Sequence, residues 1–258
     1  MTAGERAARA RPLRAAWRLL RCVAHGAHGL LIACVCFGRY SVAQRHDATR
    51  WWSLKLLRLM GIALQVDGCP HSGGSLLVAN HISWLDIMAV HAVCPQARFV
   101  SKADVKSWPL LSRLVDAGGT LYLERERKRD ALRVVHLMAQ ALASGDTVAI
   151  FPEGTTSDGR ALLPFHANLL QAAIATDTPV QPVALRFSDA QHAISAAVEF
   201  IGDTSLVRSL WNVACGEGLT VHVRLLPPQP SSGIERRALA AQLRAAIGSA
   251  LAHPDQKA

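Results

Sequence analysis

Three short polar segments each follow a run of apolar residues that is typical of a buried strand. The first, Asn80 to Asp86 (Asn-His-Ile-Ser-Trp-Leu-Asp), comes after the run Ser75 to Ala79. His81 stands five residues before the carboxylate of Asp86, and on one continuous helix that spacing would point the side chains about 140° apart. They can meet only if His81 lies in the turn before a helix. Ser83 predicts such a turn, because it can cap a helix that begins at the next residue.

A contact between His81 and Asp86 has a chemical and a structural interpretation. An imidazole can take a proton from a hydroxyl near neutral pH, and a carboxylate can orient the ring and stabilise its charged form. However, Ser83-x-x-Asp86 also fits a capping box, in which the carboxylate only satisfies a backbone N–H. The pair alone leaves both interpretations open.

Two further polar segments follow predicted strands. Phe151 to Ser157 (Phe-Pro-Glu-Gly-Thr-Thr-Ser) predicts a tight loop of the kind that cradles an oxyanion or phosphate, although a plain turn has the same composition. Leu121 to Arg125 places an arginine at the end of another apolar run. Because polar groups at the carboxyl ends of parallel strands meet at one edge of a sheet, the three segments predict a single cleft.

Strand-like and helix-like patterns alternate after residue 62, which predicts an α/β domain with a mixed, mostly parallel central sheet flanked by helices. The predicted strands are Ile62–Val66, Ser75–Ala79, Arg98–Ser101, Thr120–Leu123, Thr147–Phe151, Val180–Phe187, Ala196–Ile201 and Thr220–Leu225. The predicted helices are Ser83–Val93, Pro109–Ala117, Arg129–Ala143, His166–Thr176 and Gly233–Leu251.

The first 62 residues combine arginines with apolar stripes at helical spacing. Leu13, Trp17 and Leu20 form one stripe beside several arginines, and a similar stripe follows at Trp52, Leu56, Leu59 and Met60. The cleanest apolar run, Gly29 to Phe37, is much shorter than the roughly 20 residues that span a bilayer. We therefore predict two interfacial helices, at about 10–44 and 47–62, with residues 1–62 associating with a membrane and residues 63–258 forming the catalytic domain.

Two alternatives exist for this N-terminal region. The stripes could pack on the domain while the arginines form a solvated face. Ser41 to Ala43 also resembles the cleavage site of a signal peptide, although Arg39 and the long basic lead disfavour that interpretation.

The composition of the chain limits which classes of partner it is expected to bind. The 258-residue chain is 50% hydrophobic, so it can bury a full core, and its net charge of +9 suits a phospholipid surface, nucleic acid or a phosphorylated ligand. Its six cysteines contain no C-x-x-C pair, so we predict reduced, mostly buried thiols in a cytosolic setting.

The order of these motifs resembles that of a known family. His81-x-x-x-x-Asp86, the strand leading to Arg125, Phe151 to Thr155, and Pro179 to Val183 look like the four ordered blocks of the glycerolipid acyltransferases, bacterial 1-acylglycerol-3-phosphate type. The resemblance covers about residues 70 to 190. It implies transfer of a fatty acyl group from acyl-CoA or acyl-carrier protein to the free sn-2 hydroxyl of 1-acylglycerol-3-phosphate, giving phosphatidic acid. It also implies no cofactor and a location on the cytoplasmic face of the inner membrane, peripheral or monotopic.

The resemblance also implies roles for individual residues. His81 corresponds to the general base and Asp86 to its orienting partner, while Arg125 corresponds to the arginine that binds the acceptor phosphate. The remaining matches imply substrate-binding roles for Glu153, Gly154 and Thr155 in the acceptor pocket and for Lys102 near the reacting carbonyl.

Some positions depart from the family pattern. Thr156 stands where many members have arginine, and His166 and Asn168 stand where they have lysine and glycine. The loop Glu153 to Gly159 is similar to that of acyltransferases that act on lyso-ornithine lipids, so lyso-ornithine lipid is the alternative acceptor.

Other classes of function fit the sequence less well. A noncatalytic lipid-binding protein would have no use for His81 beside Asp86. A metallohydrolase would need a ligand set such as His-x-x-x-His, which the sequence lacks, and we find no nucleic-acid recognition module.

Overall fold

The computed structural model describes residues 3–102, 113, 118–123 and 128–253. Its strands form one seven-stranded sheet in the order β1-β7-β6-β2-β5-β3-β4. Neighbouring strands are parallel except β6 and β7, so the predicted mixed, mostly parallel sheet is confirmed. The strands are β1 (Ile62–Asp67), β2 (Ser75–Ala79), β3 (Arg98–Lys102), β4 (Leu121–Leu123), β5 (Thr147–Ile150), β6 (Val180–Ser188) and β7 (Leu219–Leu225).

Helices cover both faces of the sheet. They are α1 (Ala3–Val35), α2 (Val42–Met60), α3 (Leu85–Val93), α4 (Lys128–Ala143), α5 (Gln171–Ala175), α6 (Leu206–Cys215) and α7 (Arg236–Ala252), with 3₁₀ turns at Ala167–Leu170 and Ala196–Val198. Side chains of β2 alternate between the two cores: Leu77 packs with α2, α3 and α6, whereas Leu76 and Val78 pack with α4, α5 and α7. Burial on both faces explains why β2 is apolar from its second residue to its end.

The N-terminal helices break earlier than predicted. α1 ends at Val35, and α2 begins at Val42 because Ser41 and Gln44 form a capping box. α2 then packs against α3 and β1, which buries Leu56, Leu59 and Met60 in the core. For α2, therefore, the apolar stripe packs on the domain.

One predicted strand, Ala196 to Ile201, is wrong. β6 already pairs with β2 on one side and β7 on the other, so no edge is open to this segment beside β6. Instead the Ser195 backbone N–H donates to the Phe187 carbonyl and the Ser195 hydroxyl caps a short 3₁₀ turn. Helix α6, which follows, was not predicted.

Two other predictions concern a helix after β3 and the burial of the cysteines. The predicted helix Pro109–Ala117 lies almost entirely outside the described residues. The cysteines are free thiols, but only Cys94 is buried, while Cys34 and Cys69 are exposed, so the expectation of mostly buried thiols is wrong. The apolar matrix around Cys94 raises the pKa of its thiol to about 12.

Candidate active site

Four neighbouring parallel strands, β2, β5, β3 and β4, end at the same edge of the sheet. We call it the strand-end edge. Asn80 fixes the end of β2 there: its side-chain amide donates to the Leu185 carbonyl (2.9 Å), and its oxygen accepts the Leu185 N–H (2.8 Å). His81, the next residue, is therefore anchored to β6 as well as to its own strand.

His81 and Asp86 meet in the turn between β2 and α3. The Nδ1 atom of His81 lies 2.8 Å from Oδ2 of Asp86, which is fully buried. The same oxygen accepts the backbone N–H groups of Ile82 (2.6 Å) and Ser83 (2.8 Å). One carboxylate oxygen thus shapes the turn and orients the ring, so the two interpretations of Asp86 are compatible.

The expected cap by Ser83 is wrong in detail. Trp84 already has helical backbone angles, α3 begins at Leu85, and the N–H of Asp86 donates to the Ser83 carbonyl. The hydroxyl of Ser83 therefore loses the N–H that it would cap, and it is buried without a partner among the described residues.

Aromatic rings hold the other side of the imidazole. Phe151 stacks on His81 with ring centroids 4.0 Å apart and an angle of 8°, and Phe99 stacks on Phe151 in turn. The His81 side chain stays 19% exposed, and its Nε2 atom forms no hydrogen bond with any described residue. A neutral ring that donates from Nδ1 to Asp86 presents Nε2 as a proton acceptor.

Glu153 connects this turn to the loop after β5. Its Oε1 atom accepts the His81 N–H (2.8 Å), and its Oε2 atom accepts the Leu163 N–H (2.9 Å). Only 3% of the residue is exposed. Burial raises the pKa of Glu153, and the two accepted hydrogen bonds oppose that rise. Both carboxylate oxygens are thus engaged by the protein backbone.

The rest of the loop after β5 holds the other backbone group of His81. Ser157 donates its N–H to the His81 carbonyl (2.8 Å), and its hydroxyl lies 3.2 Å from the same oxygen. Gly154 has a positive φ of 68°, which explains the glycine at this sharp turn. Thr155 is exposed, and the Thr156 hydroxyl donates to the Phe200 carbonyl. Both backbone groups of His81 are therefore held by one loop.

Two predicted substrate-binding residues cannot be placed. Lys102 ends β3 at the strand-end edge, but its side chain is not described. β4 ends at Leu123 at the same edge, and Arg125 lies outside the described residues.

Sequence reasoning missed several residues that position the imidazole. Asn80, Phe151 and Ser157 all lie inside the two polar segments that contain His81 and Glu153, but they were assigned no role from the sequence. Their function depends on contacts of the backbone and rings between segments about 70 to 105 residues apart, which spacing along the chain does not reveal. In the described part of the chain, no cluster of three His, Cys, Asp or Glu residues could hold a metal ion.

Comparison with known proteins gives consistent matches. A family model described as Acyltransferase matches residues 64–186. The lyso-ornithine lipid O-acyltransferase of Pseudomonas aeruginosa is 38% identical over 207 residues, covering 80% of this chain and 79% of that protein. The 1-acyl-sn-glycerol-3-phosphate acyltransferase of Neisseria meningitidis serogroup B is 38% identical over 171 residues, covering 65% and 66%. In fold, the 1-acyl-sn-glycerophosphate (LPA) acyltransferase PlsC from Thermotoga maritima matches with a TM-score of 0.66 at 19% identity, covering 93% of this chain and 99% of that one.

Proposed function

This chain belongs to the lysophosphatidic acid acyltransferase family of glycerolipid acyltransferases. From that premise we propose that His81 and Asp86 catalyse the transfer of a fatty acyl group from a thioester donor to the free hydroxyl of a lysolipid. The observation that carries this proposal is the His81 Nδ1 contact with a buried carboxylate at the strand-end edge, while the His81 side chain stays partly exposed and Nε2 bonds to no described residue. An acyl donor and a lysolipid acceptor are what the family implies.

The chemistry follows from the position of the two side chains. As the acceptor oxygen attacks the thioester carbonyl, its proton passes to Nε2 of His81, and Asp86 stabilises the imidazolium that forms. Collapse of the tetrahedral intermediate then breaks the carbon–sulfur bond, and the imidazolium returns its proton to the departing thiolate. No covalent acyl-enzyme is needed, because the donor is already activated. Acyl-CoA and acyl-carrier protein both supply such a thioester.

The loop after β5 has a positioning role in this proposal. Glu153 and Ser157 fix the backbone of His81 on both sides, so the imidazole is held before substrate arrives. Gly154 and Thr155 lie between them, and Thr155 is the exposed member that can meet an acceptor. Glu153 acts on the acceptor through His81.

Two acceptors are compatible with this site. Lysophosphatidate, giving phosphatidic acid, is supported by the match of Arg125 to the phosphate-binding arginine of the family, with Lys102 near the reacting carbonyl. Lyso-ornithine lipid is supported by the Pseudomonas relative, which the chain covers more fully than the Neisseria relative. Thr156 also favours it, because a hydroxyl engaged by the Phe200 carbonyl brings no positive charge to the loop.

Membrane association is part of the proposal. In α1, the stripe Leu13, Trp17 and Leu20 is exposed. The segment Pro12–Val35 is long and apolar enough to cross a bilayer by length and composition. However, His25 packs on α2, and Ala15 is fully buried against the domain. A helix held along its length in this way fits a monotopic position on the cytoplasmic face of the inner membrane better than a span.

A direct assay tests the proposal. Purified protein in mixed micelles receives labelled acyl-CoA or acyl-carrier protein with lysophosphatidate, lyso-ornithine lipid or lysophosphatidylcholine as acceptor. We expect labelled diacyl product from at least one of the first two acceptors. Failure with every lysolipid and both donors, for protein that retains its native melting temperature, would contradict the proposed reaction and favour a noncatalytic lipid-binding protein.

A further inference from the structure

Helix α6 exposes large apolar side chains on the face that points away from the core. Val207 is 77% exposed and Trp211 is 42% exposed, and one helical turn separates them. Burial in the domain accounts for the opposite face, where Ser209 and Val213 are buried. The core therefore does not explain why the outer face is apolar.

The inner face of α6 contacts the active-site turn. The indole N–H of Trp84 donates to the Ser209 hydroxyl at 3.1 Å. Trp84 lies between His81 and Asp86 in the sequence. The outer face of α6 is thus one helix diameter, about 10 Å, from the indole ring of Trp84.

The C-terminal end of α6 is bonded to α1. Arg18 donates to the carbonyl oxygens of Ala214 (2.9 Å) and Gly216 (2.8 Å), and Arg14 pairs with Glu217 at 2.5 Å. Trp211 precedes Ala214 by three positions and Val207 precedes it by seven, so all three share one side of α6.

Charge on this surface has the sign that suits anionic lipid. Arg208, between Val207 and Trp211, is exposed, and Glu217 is neutralised by Arg14. Across the chain the net charge is +9. Trp beside Arg on an exposed helical face is typical of surfaces that insert among anionic head groups.

We propose that the outer face of α6, formed by Val207, Arg208 and Trp211, is a second membrane-contact surface that docks the catalytic domain itself on an anionic lipid bilayer. The inference rests on the membrane association proposed for α1 and extends it to a helix that contacts the active-site turn. Contact through α6 brings the turn after β2, which Trp84 connects to α6, toward the lipid surface. A lysolipid then reaches His81 by moving within the interface, with its acyl chain still in the bilayer.

The test measures how the full-length protein binds vesicles of phosphatidylglycerol and phosphatidylethanolamine by co-sedimentation. The α6 variants are Val207→Glu and Trp211→Glu. The matched controls are Leu132→Glu on α4 and Val66→Glu on β1, because both replace exposed apolar residues with the same charge away from α6. A third arm, Leu20→Glu, changes the exposed stripe of α1.

We expect each α6 variant to bind about tenfold more weakly than its control, since each loses an apolar group from the interface and gains a charge that anionic lipid repels. Thermal unfolding should be unchanged, and Trp211→Phe should keep most of the binding if any replacement by Glu disturbs the fold. Lipids brominated on the acyl chains should quench less of the tryptophan fluorescence in Trp211→Phe than in the unsubstituted protein.

The outcomes distinguish membrane contact through α6 from the membrane association proposed for α1. If Leu20→Glu weakens binding while the α6 variants bind like their controls, α1 alone meets the membrane and the inference is overturned. If the unsubstituted protein does not bind vesicles, the proposed membrane association falls together with the inference. Equal bromolipid quenching of Trp211→Phe and the unsubstituted protein would also count against contact through α6.

Discussion

At the strand-end edge, hydrogen bonds from the protein backbone fix the position of the proposed catalytic residues. On α1, the residues proposed to contact a membrane are exposed and are not fixed in this way. His81 is fixed through both of its backbone groups by Glu153 and Ser157, and its ring is fixed by Asp86. Leu13 and Trp17 are exposed on the side of α1 away from the domain. Chemistry requires a side chain positioned within fractions of an ångström, but contact with a fluid bilayer does not.

A second contrast separates α1 from α2. The apolar stripe of α2 is buried, whereas α1 contacts the domain through Leu19 and Cys22 together with several small or polar residues. At Gly29, an added Cβ would lie 2.2 Å from the Trp52 indole nitrogen, so only glycine allows this approach. His25 and Trp52 each bond to the backbone carbonyl of the other, at 2.9 and 3.2 Å. Because this contact leaves Leu13, Trp17 and Leu20 exposed, that apolar side of α1 is left for another partner.

The largest expected effect is at the strand-end edge. Replacing His81 with Ala should lower kcat by about 10²- to 10⁴-fold, the usual contribution of a general base. Asp86→Asn should give a smaller loss, because the amide oxygen can still accept the N–H groups of the turn. Labelled-acyl turnover measures the loss, and vesicle binding and melting temperature should not change. Near-normal turnover by the His81 variant at an unchanged melting temperature would remove His81 from the mechanism.

The next effect distinguishes α2 from α1. Leu57→Ala in α2 should lower the free energy of unfolding by about 2 to 5 kcal/mol, since a fully buried leucine is lost from the core. The same change at exposed Leu20 in α1 should alter it by less than about 0.5 kcal/mol. Urea titration followed by circular dichroism measures both. Equal destabilisation by the two variants would mean that α1 also packs its stripe on the protein.

These contrasts show what the sequence could predict. β2 was predicted with its observed bounds, because a short apolar run between turn residues specifies a buried strand locally. α6 was missed although Val207, Trp211 and Ala214 recur at helical spacing, so the signal was present in the sequence but was assigned to no element. The strand at Ala196 to Ile201 was wrong because the pairing of β6 on both sides depends on distant parts of the chain.

The candidate site divides in the same way. His81 and Asp86 could be predicted together, since five residues of one turn determine their contact. The roles of Asn80 and Glu153 in fixing His81 could not, because each bonds to backbone groups far away in sequence. Such bonds become visible only when the strands are placed side by side.

A smaller effect tests whether the buried carboxylate of Glu153 positions His81. Glu153→Gln should destabilise the protein by about 1 to 3 kcal/mol, because one buried backbone N–H, of His81 or Leu163, then faces an NH₂ donor. We also expect a lower kcat with little change in KM for the lysolipid. Glu235→Gln is the matched control, since Glu235 also accepts two N–H groups but is exposed at the start of α7. A raised KM with unchanged stability would instead place Glu153 in direct contact with the acceptor.

The last effect concerns binding of the acceptor by Arg125, which only the family resemblance assigns. A charge-assisted hydrogen bond contributes about 1.5 to 3 kcal/mol, so Arg125→Ala should weaken the apparent affinity for lysophosphatidate by roughly ten- to a hundredfold. Because the phosphate takes no part in the bonds that form and break during acyl transfer, KM should change more than kcat. Arg133→Ala, on the exposed side of α4, is the control for loss of general positive charge. Lyso-ornithine lipid carries an amine and a carboxylate in place of the phosphate, so its KM should respond less to the same substitution. Efficient acylation of lyso-ornithine lipid with none of lysophosphatidate would exclude lysophosphatidate as the acceptor, and the roles of His81 and Asp86 would stand, because their contact at the end of β2 does not depend on which head group is bound.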